Sequence, residues 1–295
     1  MESMKAAVIG PGAMGCLYAA RLAHSGVKTW LVDHKQARAD RLEKTGVVVE
    51  DRDGHTLLEH PVIAAHVPTG MDFVLVLVKA YSTPSLRLPP ETPVLTLQNG
   101  LGNVETLCTM VGSARLMVGA TTEAATLVSE GRVRHMASGV TSFGAWTSCS
   151  CAAVRESLIN AGFKVELTES PGQLVWEKVA INAGINPLTA LLNVPNGRLL
   201  QIMEIRQLMR DLVVEATKVA STEGYRFNQS LVEMTEAVCA RTADNISSML
   251  QDVRAGRQTE IDAISGEIMR RAQLASLPTP RTRVVYQLVR GLEGR

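Results

Sequence analysis

A chain of 295 residues lies near the length at which one hydrophobic core gives way to two, so a two-domain protein is expected. Hydrophobic residues make up 46% and charged residues 20%, enough apolar material for packed cores, which excludes wholesale disorder. A formal net charge of +1 supplies neither a basic face for nucleic acid nor an acidic tail, and the most apolar stretch, Phe73 to Val78, is far shorter than the ~20 residues of a membrane-spanning helix.

The first residues lead directly into an apolar strand, without the basic region, long hydrophobic segment and small-residue cleavage site of a signal peptide, so a cytoplasmic location is expected. Five cysteines are scattered except for the pair Cys149 and Cys151, which lacks the second pair that a tetrahedral zinc site needs. Reduced thiols and no metal site are expected.

In chain order, Lys5 to Gly10 reads as a short apolar strand, and residues 14–25 carry helical periodicity. Lys28 to Asp33, Phe73 to Val78 and Val94 to Leu97 read as further strands, and strands alternating with helices imply a parallel sheet wound right-handedly. Gly46 to Glu50 and His55 to Ile63, around an Asp-Gly pair, suggest a β excursion at the edge of that sheet. Beyond about residue 168 the β-branched runs give way to helical spacing over Leu174–Ala190, Leu199–Glu223, Leu231–Arg254 and Glu260–Ala275. The expected organisation is an α/β Rossmann domain with a doubly wound, mostly parallel sheet over residues 1–168, then an all-α domain over residues 169–295. A cleft between two such halves is the default ligand site.

Gly10-Pro11-Gly12-Ala13-Met14-Gly15 fits G-x-G-x-x-G at the first strand–helix turn, where the backbone can turn tightly and approach a pyrophosphate held at the helix N-terminus. In mid-chain the same hexapeptide would be an ordinary glycine turn; its position here makes it a dinucleotide site. About 20 residues further on, Asp33 is placed to accept the adenosine ribose hydroxyls and repel a 2′-phosphate. His34, Lys35 and Arg38 point the other way, since a cationic cluster pairs with a 2′-phosphate. A helix-capping Asp and a solvated charge run are the plainer readings of these residues.

In the helical half, Lys178, Asn182 and Asn186 are four residues apart and so project from one helix face, with only ~40° of rotation between successive members. Apolar Val179, Ile181, Ile185 and Leu188 surround them, and buried polar groups require partners. The alternative is a solvent-facing stripe, for which Asn is a poor helix former. Pro187 is expected to end or kink this helix.

The segment Trp176 to Ala190, with Pro195-Asn196-Gly197, Ser247 to Asp252 and Thr259-Glu260-Ile261-Asp262, resembles the ketopantoate reductase family (2-dehydropantoate 2-reductase). With the glycine loop, Lys79 and Gln98-Asn99-Gly100, the resemblance runs from about residue 5 to residue 285. It implies reduction of 2-dehydropantoate to pantoate, in pantothenate and coenzyme A biosynthesis, with Lys178 as general acid. Asn99, Asn182, Asn186, Asn196 and Ser248 would bind substrate; Lys79, Asn99, Ala125 and Glu260 would join the glycine loop, Asp33, His34 and Lys35 at the cofactor, with Glu260 alternatively on the substrate hydroxyl. The plainer readings are a surface cation for Lys178, a helix-surface hydroxyl for Ser248, a first-turn carboxylate for Glu260, a snorkelling Lys79 and a turn-forming Asn99.

Members that prefer NADPH commonly carry arginine where this chain has His34, a weaker phosphate partner. NADP(H) is the expected cofactor, with NAD(H) the alternative. The expected partner is a small 2-keto acid, with no nucleic acid or membrane, and the chain is a monomer or homodimer. The same fold acting on a different 2-keto acid is the first rival reading, and a cofactor-sensing binding protein the second, which intact Lys178 and Glu260 oppose.

Overall fold

The computed structural model describes residues 3–294. The chain forms two compact units: the first runs to Gln98 and resumes over Asn103–Leu174, and the second is made of Asn99–Gly102 and Val175 onward.

In the first unit the chain runs through β1 (Lys5–Ile9), α1 (Ala13–His24), β2 (Lys28–Val32), α2 (Gln36–Thr45), β3 (Val47–Glu50), β4 (Thr56–Glu59), β5 (Val62–Ala64), β6 (Phe73–Val76) and β7 (Val94–Thr96). It continues through α3 (Asn103–Val111), β8 (Leu116–Thr121), β9 (Ala124–Ser129), β10 (Arg132–Ala137), β11 (Val140–Ala145), α4 (Ala152–Asn160) and β12 (Lys164–Leu167). Eight strands form one sheet in the order β12-β11-β8-β7-β6-β1-β2-β5. From β5 to β8 every pairing is parallel, and the direction reverses only where β11 meets β8. That succession is the strand order of a doubly wound dinucleotide fold, whose ligands sit where the order reverses, here between β1 and β6. Both strands are near-continuous apolar runs because both faces are covered: Ala6 to Val8 and Phe73 to Val76 are fully buried. Leu17, Ala19, Ala20 and Leu22 of α1 share that core with Leu31, Leu95 and Met117.

The β excursion after α2 differs from expectation. Only β5 joins the edge of the large sheet; β3 and β4 build a separate four-stranded sheet, β4-β3-β10-β9, in which β3 pairs in parallel with β10 through Val48 and Arg132.

The second unit is built from α5 (Pro171–Leu192), whose first turn still belongs to the first unit, then α6 (Arg198–Gln201), α7 (Met203–Thr222), α8 (Leu231–Arg241), α9 (Ser248–Arg254), α10 (Glu267–Leu274) and α11 (Pro280–Glu293). A π-helical turn over Asp262–Gly266 leads into α10. Trp176, Val179, Ala180 and Ala183 of α5 pack with Val213, Ala216 and Val219 of α7 and with Ile261, Ile264 and Ile268. Helix α5 continues past Pro187 to Leu192, so the proline does not end it, and Leu188, Thr189 and Ala190 beyond it are all buried. Two segments differ from the single runs expected. Leu199–Glu223 is two helices, α6 and α7, parted at Ile202. The segment Leu231–Arg254 is two helices, split where Asp244, Asn245 and Ser247 favour turn and cap geometry; Ser247 caps α9 by accepting the Leu250 N–H. Helix α11 lies beyond the last helical segment read from the sequence.

Among the described residues no helix is long and apolar enough to cross a membrane. The five cysteines are free thiols.

Candidate active site

The carboxyl ends of β1, β2 and β6 bring the glycine loop, Asp33 and Lys79 to one edge of the first unit's sheet. Gly10 has φ +104°, and a Cβ there would lie 2.9 Å from the Val78 backbone nitrogen. A Cβ on Gly15 would sit 1.8 Å from the Gly10 carbonyl oxygen, so this helix can start so close to its strand only without a side chain. Gly12 is different: a Cβ there meets nothing within 4 Å, so the backbone is open to a ligand's approach. No side chain caps α1 and no acidic residue stands in its first turn, so its N-terminal partial positive charge is not offset locally. The loop therefore fits the pyrophosphate of a dinucleotide. Pro11 is buried, while Ala13 and Met14 open the helix half-buried.

At the end of β2, the Asp33 side chain is fully buried, and its carboxylate accepts bonds from Arg38 Nε at 2.5 Å and Nη2 at 2.7 Å and from the Lys35 N–H at 3.0 Å. Burial works against the charged carboxylate, but the Arg38 and Lys35 hydrogen bonds prevail and hold its pKa below the usual range. His34 and Lys35 are exposed. Lys79 is half-buried after β6, where its carbonyl accepts from the Ser82 N–H. Ala125 lies in β9 of the small sheet, opposite His135.

Sequence reasoning assigned no role to Gln98. Its side-chain amide donates to the Val78 carbonyl and to Thr83 Oγ1, while its oxygen accepts from Thr96 Oγ1, tying the chain ahead of Lys79 to the end of β7. A buried amide at the end of an apolar strand was the available signal.

In the second unit, Gly100 has φ +86°, and a Cβ there would lie 2.6 Å from that of Ala263, while the Leu101 N–H donates to the Ala263 carbonyl. This close approach sets Asn99 beside Glu260, to which its Nδ2 donates at 3.1 Å. Glu260 is buried, and its carboxylate also acts on Lys178 of α5. Burial pushes the Lys178 ammonium down to about 8, against the opposing pull of Glu260. Lys178, Glu260 and Asn99 thus form one group.

Asn182 and Asn186 follow on α5, the second of them buried, and among the described residues neither amide side chain has a hydrogen-bond partner. Asn196 is buried; its Nδ2 donates to Thr242 Oγ1 at 2.9 Å, and its Oδ1 is the buried side-chain atom left without a partner among the described residues. Ser248 is exposed at the start of α9, whereas the buried neighbour Ser247 caps that helix and accepts from Thr189 Oγ1 at 2.7 Å.

A ligand-ready glycine loop and an ammonium poised near neutrality beside a carboxylate and unpaired amides are the equipment of an oxidoreductase. Known proteins agree. Residues 6–148 match the family model described as Ketopantoate reductase PanE/ApbA, and residues 172–293 match Ketopantoate reductase PanE/ApbA C terminal. The chain is 36% identical over 297 residues to a 2-dehydropantoate 2-reductase of Halobacterium salinarum, covering 97% of this chain and 98% of that one. A PanE/ApbA family ketopantoate reductase from Ralstonia eutropha has a similar structure, with a TM-score of 0.90 at 28% identity over 99% of both chains. D-mandelate dehydrogenase, solved with NADH and anilino(oxo)acetate, shares the fold with a TM-score of 0.90 at 24% identity, again over 99% of both chains. The chain belongs to the ketopantoate reductase family.

Proposed function

We propose that this protein reduces 2-dehydropantoate to pantoate with NADPH, using Lys178 as the general acid. The observation that carries the reading is the Lys178 ammonium, depressed to about 8 and set beside Glu260, whose carboxylate Asn99 also holds. When bound, the dihydronicotinamide supplies the hydride that the keto carbon accepts. Gly10, Pro11, Gly12, Ala13, Met14 and Gly15 would hold its pyrophosphate; Asp33, His34 and Lys35 would flank its adenosine ribose; Lys79, Asn99 and Ala125 would meet its nicotinamide side; and Glu260 would contact a cofactor ribose or the substrate hydroxyl.

Reduction of a keto group builds negative charge on the carbonyl oxygen, and a cation beside that oxygen lowers the barrier. Lys178 supplies the charge and then the proton. An ammonium depressed toward neutrality is a stronger acid than an ordinary lysine, so the transfer is better matched, yet it remains mostly protonated at pH 7. Glu260 keeps it from falling further. The unpaired amides of Asn182 and Asn186 offer donors and acceptors to the substrate's carboxylate and hydroxyl, and the orphaned Asn196 Oδ1 calls for a hydroxyl that donates. Ser248, already exposed, would add a hydroxyl.

The test is steady-state reduction of 2-dehydropantoate and a panel of other 2-keto acids, with NADPH and NADH at equal concentration. The highest kcat/KM is expected for 2-dehydropantoate with NADPH. A higher value for another keto acid would overturn the substrate assignment, and no turnover with any of them would overturn the enzymatic one.

A further inference from the structure

We infer that Arg38 sets the nucleotide preference of the first unit by neutralising Asp33, so that the carboxylate ending β2 neither repels a 2′-phosphate nor stands free to grip the ribose hydroxyls. The inference rests on the dinucleotide reading of the glycine loop proposed above.

A carboxylate at the end of the second strand of a doubly wound sheet ordinarily selects NAD(H), because it accepts both ribose hydroxyls and opposes a phosphate. That selection needs an accessible oxygen and an uncompensated charge. Asp33 offers neither. Its side chain has 0% exposure, one oxygen takes Arg38 Nε, and the other takes Arg38 Nη2 together with the Lys35 N–H. Two parallel bonds between a guanidinium and a carboxylate are the strongest form of such a pair, and its net charge is zero.

The pair is also oriented. Asp33 is the inner member, while the Arg38 side chain retains 22% exposure, and its Nη1 makes no hydrogen bond among the described residues; the nearby Glu130 carboxylate also acts on the guanidinium, but is itself paired with Arg41. Exposed His34 and Lys35 stand beside it, and Lys35 is a further cation. The end of β2 therefore presents positive charge although its terminal residue is acidic. The backbone fixes this arrangement, because Arg38 lies in the first turn of α2 and its N–H donates to the Lys35 carbonyl, while the Lys35 N–H is bonded to Asp33.

A merely structural ion pair would affect stability alone, whereas masking makes nucleotide choice depend on both partners together. The experiment measures dissociation constants of NADPH and NADH by fluorescence titration for the wild type, Arg38→Gln, Asp33→Asn and Asp33→Asn/Arg38→Gln, with thermal unfolding to confirm that each variant is folded. Wild type is expected to bind NADPH more tightly. Arg38→Gln, which exposes an uncompensated carboxylate, should weaken NADPH roughly 30-fold or more and NADH less than about 3-fold. The double variant, with the repulsion removed, should recover about 10-fold of the lost NADPH affinity. Asp33→Asn alone should leave NADPH no weaker and NADH within about 3-fold, and it carries the test if Arg38→Gln does not fold. Equal NADPH weakening in Arg38→Gln and the double variant, or an NADH affinity lost in Asp33→Asn, overturns the masking. Wild type that binds neither nucleotide overturns the dinucleotide reading, and the inference with it.

Discussion

Replacing Lys178 by methionine should make the unliganded protein more stable at neutral pH while removing its activity. The ammonium's pKa is pushed from its ordinary 10.5 to about 8, so burying it in charged form is unfavourable even with Glu260 nearby. At about 1.4 kcal/mol per tenfold change in the protonation equilibrium, that depression amounts to roughly 3 kcal/mol, and partial exposure of the side chain brings the expected gain to about 1–3 kcal/mol. The sign follows from proton counting. Between about 8 and 10.5 the unfolded chain holds a proton that the folded one has released, so wild-type stability rises with pH through that window. Below it the whole cost is present. Urea unfolding of wild type and Lys178→Met at pH 7 and at pH 9.5 measures this: the variant should lead at pH 7, and its lead should shrink to roughly 1 kcal/mol or less at pH 9.5. The same variant should lose a factor on the order of 10²–10⁴ in turnover, with nucleotide affinity nearly unchanged. A variant no more stable than wild type at pH 7, or a lead independent of pH, would refute the idea that the fold bears the cost of a poised ammonium. Undiminished turnover would remove Lys178 from the mechanism.

The pH profile of kcat/KM for keto acid reduction should be flat below about 8 and fall tenfold per pH step above it, since the acid must carry its proton; a profile flat to pH 10 contradicts the assignment. Asn182→Ala and Asn186→Ala should each raise the Michaelis constant for the keto acid about 5- to 150-fold, as ~1–3 kcal/mol of polar contact is lost, and normal kinetics with a lowered Tm would make the two amides structural. Ser247→Ala should lower stability by about 1–2 kcal/mol, because Ser247 both caps α9 and accepts from Thr189, and denaturant unfolding reads that loss directly.

The large sheet is legible in the sequence because its central strands are buried on both faces and therefore read as unbroken apolar runs, as at Phe73 to Val76. The small sheet is not. Its parallel pairing joins Val48 to Arg132, and neither strand's own periodicity says which distant segment it meets. Pro187 does not end its helix, for a related reason. Its cost is a local property read from the sequence, whereas the burial of Leu188, Thr189 and Ala190 that outweighs it is tertiary.

The candidate site divides along the same line. Helical spacing alone placed Lys178, Asn182 and Asn186 on one face, because four-residue steps along an unbroken helix need no tertiary information. The resemblance supplied Glu260 and Asn99, whose meeting depends on Gly100 approaching Ala263, a contact no local pattern encodes. Of the adjacent serines Ser247 and Ser248, the structure buries the first as a helix cap and exposes the second, and only the position of the α8–α9 break decides between them. The end of β2 carries this furthest. Read residue by residue, Asp33 and the cations His34, Lys35 and Arg38 are opposed votes on the nucleotide. Folded, Asp33 and Arg38 are one neutral pair with its cation outermost, so the acid ceases to count against a 2′-phosphate. Reversing Arg38 to an acid would then set a second carboxylate against the fully buried Asp33 and confound stability with specificity. Nucleotide preference is better probed by the neutral exchanges Arg38→Gln and Asp33→Asn, which change the charge while leaving polar groups where the hydrogen bonds require them.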